Sequence, residues 1–243
     1  MKRECRILLF FLAALLAGCG DDVSAKDDEN DGATPTTMTD ERDGQVYRIV
    51  TIGNRVWMAE NLRYEYKVDG ATYGNGCFVS EAYEESDESG DCAEYGRFYT
   101  WAAAVDSASV RCGLGRFCRN EPGFDELQGV CPNGWRLPHN GDWLHLLRFL
   151  GGEDVAGTPL KASSGWGGNK NGTDAYGFAA LPAGRRGADG QWSSVGGAAY
   201  FWYSDDVSEE DAACMKLGSG AEAFKSYLNK GEGLAVRCVK DSD

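Results

Sequence analysis

The run Cys131-Pro132-Asn133-Gly134-Trp135-Arg136-Leu137-Pro138 leads into His139-Asn140-Gly141-Asp142-Trp143-Leu144-His145-Leu146-Leu147-Arg148-Phe149-Leu150 and halts at Gly151-Gly152. Trp143, Leu146, Leu147 and Leu150 recur at i, i+3, i+4 and i+7, the single apolar stripe of an amphipathic helix. Pro138 marks its start and the glycine pair its stop. No other stretch of the globular part reads as helix so plainly.

Outward from this helix the chain reads as short strands and loops. On the N-terminal side, Gln45 to Ile52 and Arg55 to Met58 are β-branched and aromatic around Gly53-Asn54, a hairpin signal. Tyr95 to Trp101 is aromatic, and Ala102 to Val105 reads as a short helix. On the C-terminal side the β-like pieces are Tyr176 to Leu181, Ala198 to Ser204, Cys214 to Leu217, Phe224 to Leu228 and Gly233 to Val239. In the last, Leu234, Val236 and Cys238 alternate with Ala235, Arg237 and Val239, the pattern of a half-buried strand. With 33 glycines and no strong internal repeat, the expectation is an α+β domain of short, mostly antiparallel strands, few helices and long loops.

The N-terminus reads as a signal rather than as structure. Lys2, Arg3 and Arg6 precede an apolar stretch from Ile7 to Ala17, eleven residues where a permanent membrane helix needs about 20. It ends in Leu16-Ala17-Gly18-Cys19, which resembles the lipobox of bacterial lipoproteins, where the cysteine is acylated and the chain is cut before it. The expectation is a signal peptide over 1–18, a lipid on Cys19 that ties the protein to a membrane, and a globular domain over 44–241. Residues 19–43 hold almost no large apolar side chain and are expected to form a disordered acidic stalk. Its cluster Asp21, Asp22, Asp27, Asp28, Glu29 and Asp31 reads either as a sign of surface display or as a plain solvated spacer. The expected location is the cell envelope, at the outer membrane, with surface display one of the two readings of that cluster.

Composition excludes some functions. Cleavage removes Lys2, Arg3, Arg6 and Glu4 and takes the formal charge from −14 to −16. Such a surface repels phosphate backbones, so no nucleic-acid partner is expected. Nine cysteines suit an oxidising compartment; beyond Cys5 and Cys19 seven remain, an odd number. There is no Cys-x-x-Cys, and the only histidines, His139 and His145, stand six apart, so no metal site and no cofactor are expected. The chain has no Gly-x-Ser-x-Gly, His-Glu-x-x-His or phosphate-loop motif. His145 lies beside an apolar stripe with no nucleophile in view, so no catalytic residue is assigned.

Five further stretches join the opening one into a pattern. They are Trp57-Met58-Ala59-Glu60-Asn61-Leu62, Tyr95-Gly96-Arg97-Phe98-Tyr99-Thr100-Trp101, Gly172 to Gly184, Phe201-Trp202, and Val236-Arg237-Cys238-Val239-Lys240-Asp241, with Cys131 to Pro138 between them. Taken together these resemble the Fibrobacter succinogenes major paralogous domain family from about Asp43 to Asp241. The resemblance implies a C-type lectin-like fold, shared with formylglycine-generating enzymes, and says almost nothing of activity. Members usually open the helix with Ser or Thr and place Glu three residues on. Here those positions hold His139 and Asp142, with Asn140 as an alternative cap one residue later.

The same resemblance suggests bridges. Cys77 with Cys92 and Cys112 with Cys118 would close local loops, and Cys131 with Cys238 is similar to the long-range tie of lectin-like domains. Cys214 is then left over, and Cys214 with Cys238 is the competing pair. The catalytic cysteine pair of formylglycine-generating enzymes has no counterpart here, nor do the Glu-Pro-Asn, Gln-Pro-Asp and Trp-Asn-Asp triplets of calcium-dependent lectins. Asn169 to Asp174 and Asp205-Asp206 offer hard oxygens to a cation or serve as polar turns. Trp57, Trp101, Trp135, Trp143 and Trp202, inside the motifs, are expected in the core. Trp166 and Trp192, among Gly, Ser and Asn, are the binding candidates, with Arg185 and Arg186 beside them. The leading expectation is a non-catalytic binding module for a polysaccharide or a cell-surface protein. A structural envelope lipoprotein without a soluble ligand is the second, and an enzyme of unrecognised type the third.

Overall fold

The computed structural model describes residues 36–78, 92–118 and 126–241. The signal segment, Cys19 and most of the acidic stalk lie outside the described residues. One sheet of five antiparallel strands runs β1 (Thr36–Thr39), β2 (Val46–Ile52), β3 (Arg55–Met58), β15 (Val239–Lys240), β8 (Trp135–Arg136). A six-stranded sheet runs β13 (Ala223–Asn229), β12 (Asp211–Leu217), β11 (Ala199–Asp206), β14 (Leu234–Ala235), β7 (Arg97–Tyr99), β6 (Asn75–Cys77), and only its β11–β14 pair is parallel. Two small pairs stand apart: β4 (Lys67–Val68) with β5 (Ala71–Thr72), and β9 (Arg185–Arg186) with β10 (Trp192–Ser193). The helices are α1 (Cys92–Tyr95), α2 (Trp101–Ala104), α3 (Ser107–Val110), α4 (Asn140–Phe149) and α5 (Gly157–Leu160). This is an α+β architecture of mostly antiparallel strands with few helices.

The sequence-encoded hairpin forms as expected. Ile52 faces Arg55 across a two-residue turn in which Gly53 adopts φ +64°. A side chain there would also meet His145 and Phe149 of α4, so the turn packs against the helix. At the head of α4, His139 is the cap: its Nδ1 accepts from the Gly141 amide at 2.8 Å, and Asp142 Oδ2 accepts from the His139 amide at 3.0 Å. Asn140 is instead the first residue of the helix, its amide donating to Asp205 Oδ2 at 2.7 Å. Asp142 is buried and held bidentately by Arg136 at 2.6 and 2.9 Å. Burial pushes its carboxyl upward, but the hydrogen bonds and charge of Arg136 outweigh it, and the net shift is downward.

Three expectations need correction. The stalk does not run to residue 43, because Thr36–Thr39 pairs with Val46–Ile49 as strand β1. That strand is held mainly by its backbone ladder, with Met38 its one side chain packed against the core, which is why composition hid it. Its turn is fixed by buried Asp40, clasped by the Arg42 guanidinium at 2.7 and 2.9 Å. Second, Tyr176 to Leu181 makes no strand beyond an isolated bridge between Ala180 and Lys161, and Ala179 turns the chain at φ +50°.

Third, the segment 233–239 is buried throughout rather than half-buried. Leu234, Val236 and Cys238 face one apolar cluster, while Ala235 and Val239 face the other. The alternation is real, but both sides look into protein. The same division runs along β11, where Tyr200 and Trp202 face the first cluster and Phe201 and Tyr203 the second. A sheet covered on both faces needs apolar residues at both phases of its alternation. Trp57, Trp101, Trp135, Trp143 and Trp202 all lie in these clusters, as expected.

Bridges join Cys77 to Cys92, Cys112 to Cys118 and Cys131 to Cys238, which leaves Cys214, buried, as the free thiol among the described residues. The competing Cys214–Cys238 pair is not formed. Nearby, the Lys230 ammonium is sealed in a cage of oxygens: Arg116 O at 2.7 Å, Ser208 O at 2.8 Å and Asp206 Oδ2 at 2.9 Å. Asp206 Oδ2 also accepts from the Cys118 amide at 2.8 Å, so this ion pair fastens the Cys112–Cys118 loop to the sheet.

Candidate functional site

The hairpin β9–β10 gathers residues that the sequence keeps several positions apart. Its register sets Trp192 opposite Arg186 and Ser193 opposite Arg185. Arg186 exchanges backbone hydrogen bonds with Gly233 at 2.9 and 2.7 Å, which anchors the hairpin beside β14. The half-buried Trp192 ring stands edge-on to Phe98 and Phe78, with centroids 4.6 and 4.9 Å away. Arg186 is exposed, whereas Arg185 is ion-paired with Glu232 and lies 5.8 Å from the Tyr200 ring centroid.

Trp166 does not join them. It is 4 % exposed and belongs to the second apolar cluster, with its indole Nε1 donating to Ala180 O at 3.0 Å. Asn171 Oδ1 accepts from the Trp166 amide at 3.0 Å and tightens the loop, so the polar neighbours stay outside while the ring turns in. The Lys161 ammonium sits 4.9 Å above that ring. Trp166 is therefore a core residue and offers no exposed ring to a ligand.

Next to the hairpin lies an open groove of about 340 Å³, lined among others by Ser194, Tyr200, Lys216, Ser219, Glu222 and Phe224. Its floor comes from strand register: Tyr200 faces Lys216 across β11–β12, and Lys216 faces Phe224 across β12–β13. The Lys216 ammonium stands 5.8 Å from the Tyr200 ring and 5.5 Å from the Phe224 ring. The groove thus offers hydroxyls, one ammonium, one carboxylate and aromatic edges within one surface. Such a set can bind hydroxyl-rich or anionic groups.

A second, smaller cavity of about 90 Å³ is lined among others by Arg48, Glu60, Asn61, Arg63, Glu94 and Arg237. Arg237 is 1 % exposed, and its Nε donates to Asn61 Oδ1 at 2.8 Å. Its other nitrogens donate to the carbonyls of Phe178 and Ala179. Burial lowers its pKa to about 9, with Asp174 acting in the opposite sense.

Two of the groups with nucleophilic or basic chemistry, His139 and Cys214, serve structure. His139 Nδ1 is occupied as the helix cap. Burial pushes the Cys214 thiol up to about 12, so it stays protonated at neutral pH. Of the side chains considered for a cation, four have an oxygen in use: Asp205 caps α4, Asp206 Oδ2 holds Lys230, Asn171 holds the Trp166 amide, and Asp174 Oδ1 accepts from the Ala179 amide at 2.6 Å. Among the described residues no group of three or more His, Cys, Asp or Glu is placed to hold a metal ion.

What these features define is a disulfide-bearing α+β domain with a polar-aromatic groove. Over residues 50–240 the sequence matches the family model described as the Fibrobacter succinogenes major domain. The chain belongs to that family. No curated protein and no solved structure matches it.

Proposed function

We propose that this chain is a non-catalytic, lipid-anchored binding module of the bacterial cell envelope, with a C-type lectin-like fold, and that its ligand is a surface polysaccharide. The observation that carries this reading is a groove that holds the Lys216 ammonium near the Tyr200 and Phe224 rings, next to the β9–β10 hairpin that bears Arg186 and Trp192, in a protein of formal charge −14. The half-buried Phe224 ring beside hydroxyls, an ammonium and a carboxylate matches the mixed apolar and hydroxyl faces of a sugar. The tie from Cys131, ahead of α4, to Cys238 favours the lectin-like reading. The lipobox-like Leu16-Ala17-Gly18-Cys19 favours the anchor.

The test is an array of glycans and cell-wall polysaccharides probed with the mature chain, followed by Trp192→Ala, Arg186→Ala and Lys216→Ala on whichever glycan binds. Each variant should weaken binding by about tenfold, the scale of one lost charge-assisted hydrogen bond or stacked ring. Capture of a cell-surface protein but no glycan would replace the polysaccharide, and unchanged affinity in all three variants would move the site elsewhere. For the anchor, Cys19→Ala should shift the protein out of the membrane fraction, or leave the precursor uncut. A variant that fractionates and migrates like the parent would end the lipoprotein reading.

A further inference from the structure

We infer that the cavity above Arg237 is a binding site for a single carboxylate group, distinct from the groove beside β9–β10. A guanidinium carries five N–H donors, and the three acceptors around Arg237 (Asn61 Oδ1, Phe178 O and Ala179 O) are all neutral. The Phe178 and Phe201 rings cover its faces with centroids at 4.4 and 5.2 Å. Among the described residues no carboxylate lies within ion-pair distance of it. Asp174 acts on it electrostatically without a direct contact, and a buried charge is normally found with a counter-ion bonded to it.

The same cavity is lined by two more guanidiniums, and the acid nearest to them is shared. Glu60 Oε1 lies 3.8 Å from both Arg48 and Arg63, while Glu60 Oε2 accepts from the Arg48 amide at 2.6 Å. With Glu94, the lining holds three guanidiniums and two carboxylates, and Asp174, outside the lining, acts electrostatically on Arg237 and Arg48. A ligand carboxylate would give Arg237 the direct ion pair it lacks. The cavity, about 90 Å³, is large enough for an acetate-sized group.

The walls are built to keep that space. Ala59, Ala93 and Gly96 line it, and Gly96 takes φ +76° where a Cβ would come within 2.6 Å of the Asn61 Cβ. Asn61 is thereby held close, with its Nδ2 donating to Tyr95 O at 2.8 Å and its Oδ1 free to fix Arg237. The carboxylate comes from a free small acid or from the acidic end or side chain of a peptide, and the chemistry at the guanidiniums is the same for both.

The experiment follows the thermal midpoint of the mature chain against sodium acetate, with sodium chloride at matched ionic strength and the neutral isostere acetamide as controls. The midpoint should rise saturably with acetate and not with acetamide. Arg48→Ala, which alters a half-exposed side chain at the rim, should raise the half-saturating acetate concentration at least fivefold. Lys216→Ala, in the groove, should leave it unchanged. N-acetylglycine and its amide form the second arm. Tighter binding of N-acetylglycine than of acetate assigns the site to a peptide carboxylate, and equal or weaker binding assigns it to a free acid. An acetate response no different from chloride or acetamide, or one abolished by Lys216→Ala and not by Arg48→Ala, overturns the inference.

Discussion

Replacing both cysteines of one bridge by alanine, for each bridge in turn, should rank the three in an order fixed by chain topology. The loops are disjoint, spanning 77–92, 112–118 and 131–238, so no bridge shortens the loop of another. Their sequence separations are 15, 6 and 107. In the chain-entropy model these correspond to about 3, about 2 and about 4.7 kcal/mol of lost stability. Packing adds to this, since each fully buried sulfur removed costs roughly 1 kcal/mol more. Cys131, Cys238, Cys112 and Cys118 are buried and Cys77 and Cys92 only half so. The long bridge should then cost ~6–7 kcal/mol and each short one ~3–4 kcal/mol. A domain of ordinary stability, ~5–15 kcal/mol, would be left marginal by the first change and folded after either of the others. Equilibrium guanidinium unfolding, followed by tryptophan fluorescence and far-ultraviolet circular dichroism, measures all three. A long-bridge variant within about 1 kcal/mol of the short ones would show that loop closure does not set the contribution of these bridges.

Two further outcomes follow from burial. Trp166→Ala should destabilise by ~3–5 kcal/mol as a large core truncation, whereas Trp192→Ala should cost clearly less; a Trp166→Ala thermal midpoint within a degree or two of the parent would return that ring to the surface. Lys230→Met strands Asp206 and should cost ~3–5 kcal/mol, and adding Asp206→Asn should recover at least part of that. A single variant as stable as the parent would mean that the caged ion pair holds nothing.

Much of the fold was legible because short-range patterns carried it. The stripe Trp143, Leu146, Leu147, Leu150 and the Gly151-Gly152 stop gave α4, and Gly53-Asn54 gave the first hairpin. What stayed hidden depended on partners far along the chain. Thr36–Thr39 looks like stalk until its ladder to β2 is known, and Trp166 looks exposed because its neighbours in sequence, not in space, are polar. Arg237 argued for a solvent face in the last strand, yet two phenylalanine rings and two carbonyls enclose it.

The candidate site was legible in part. Arg185, Arg186 and Trp192 were readable as a loop cluster, although two-residue strands are too short to leave a periodic signal. The groove floor needed register, since Tyr200, Lys216 and Phe224 meet only across three strands. One signal was available: Lys216 and Phe224 stand symmetrically about Gly220, so a hairpin centred there sets them face to face. The small cavity left no local trace, because Arg48, Asn61 and Arg237 come from widely separated stretches.

The placement of β14 and β15 bears on how the protein is made. β14 sits between β11 and β7, and β15 between β3 and β8, so each sheet has its interior slot filled by residues 234–240. A ribosome delivers those residues after every other strand. Until then each sheet is two half-sheets with unpaired inner edges, and the partner of Cys131 does not yet exist. Folding of such a chain cannot proceed piecemeal from the N-terminus as it is synthesised. A nascent chain stopped anywhere short of residue 234 would lack an interior strand in each sheet and would lock only once those strands arrived.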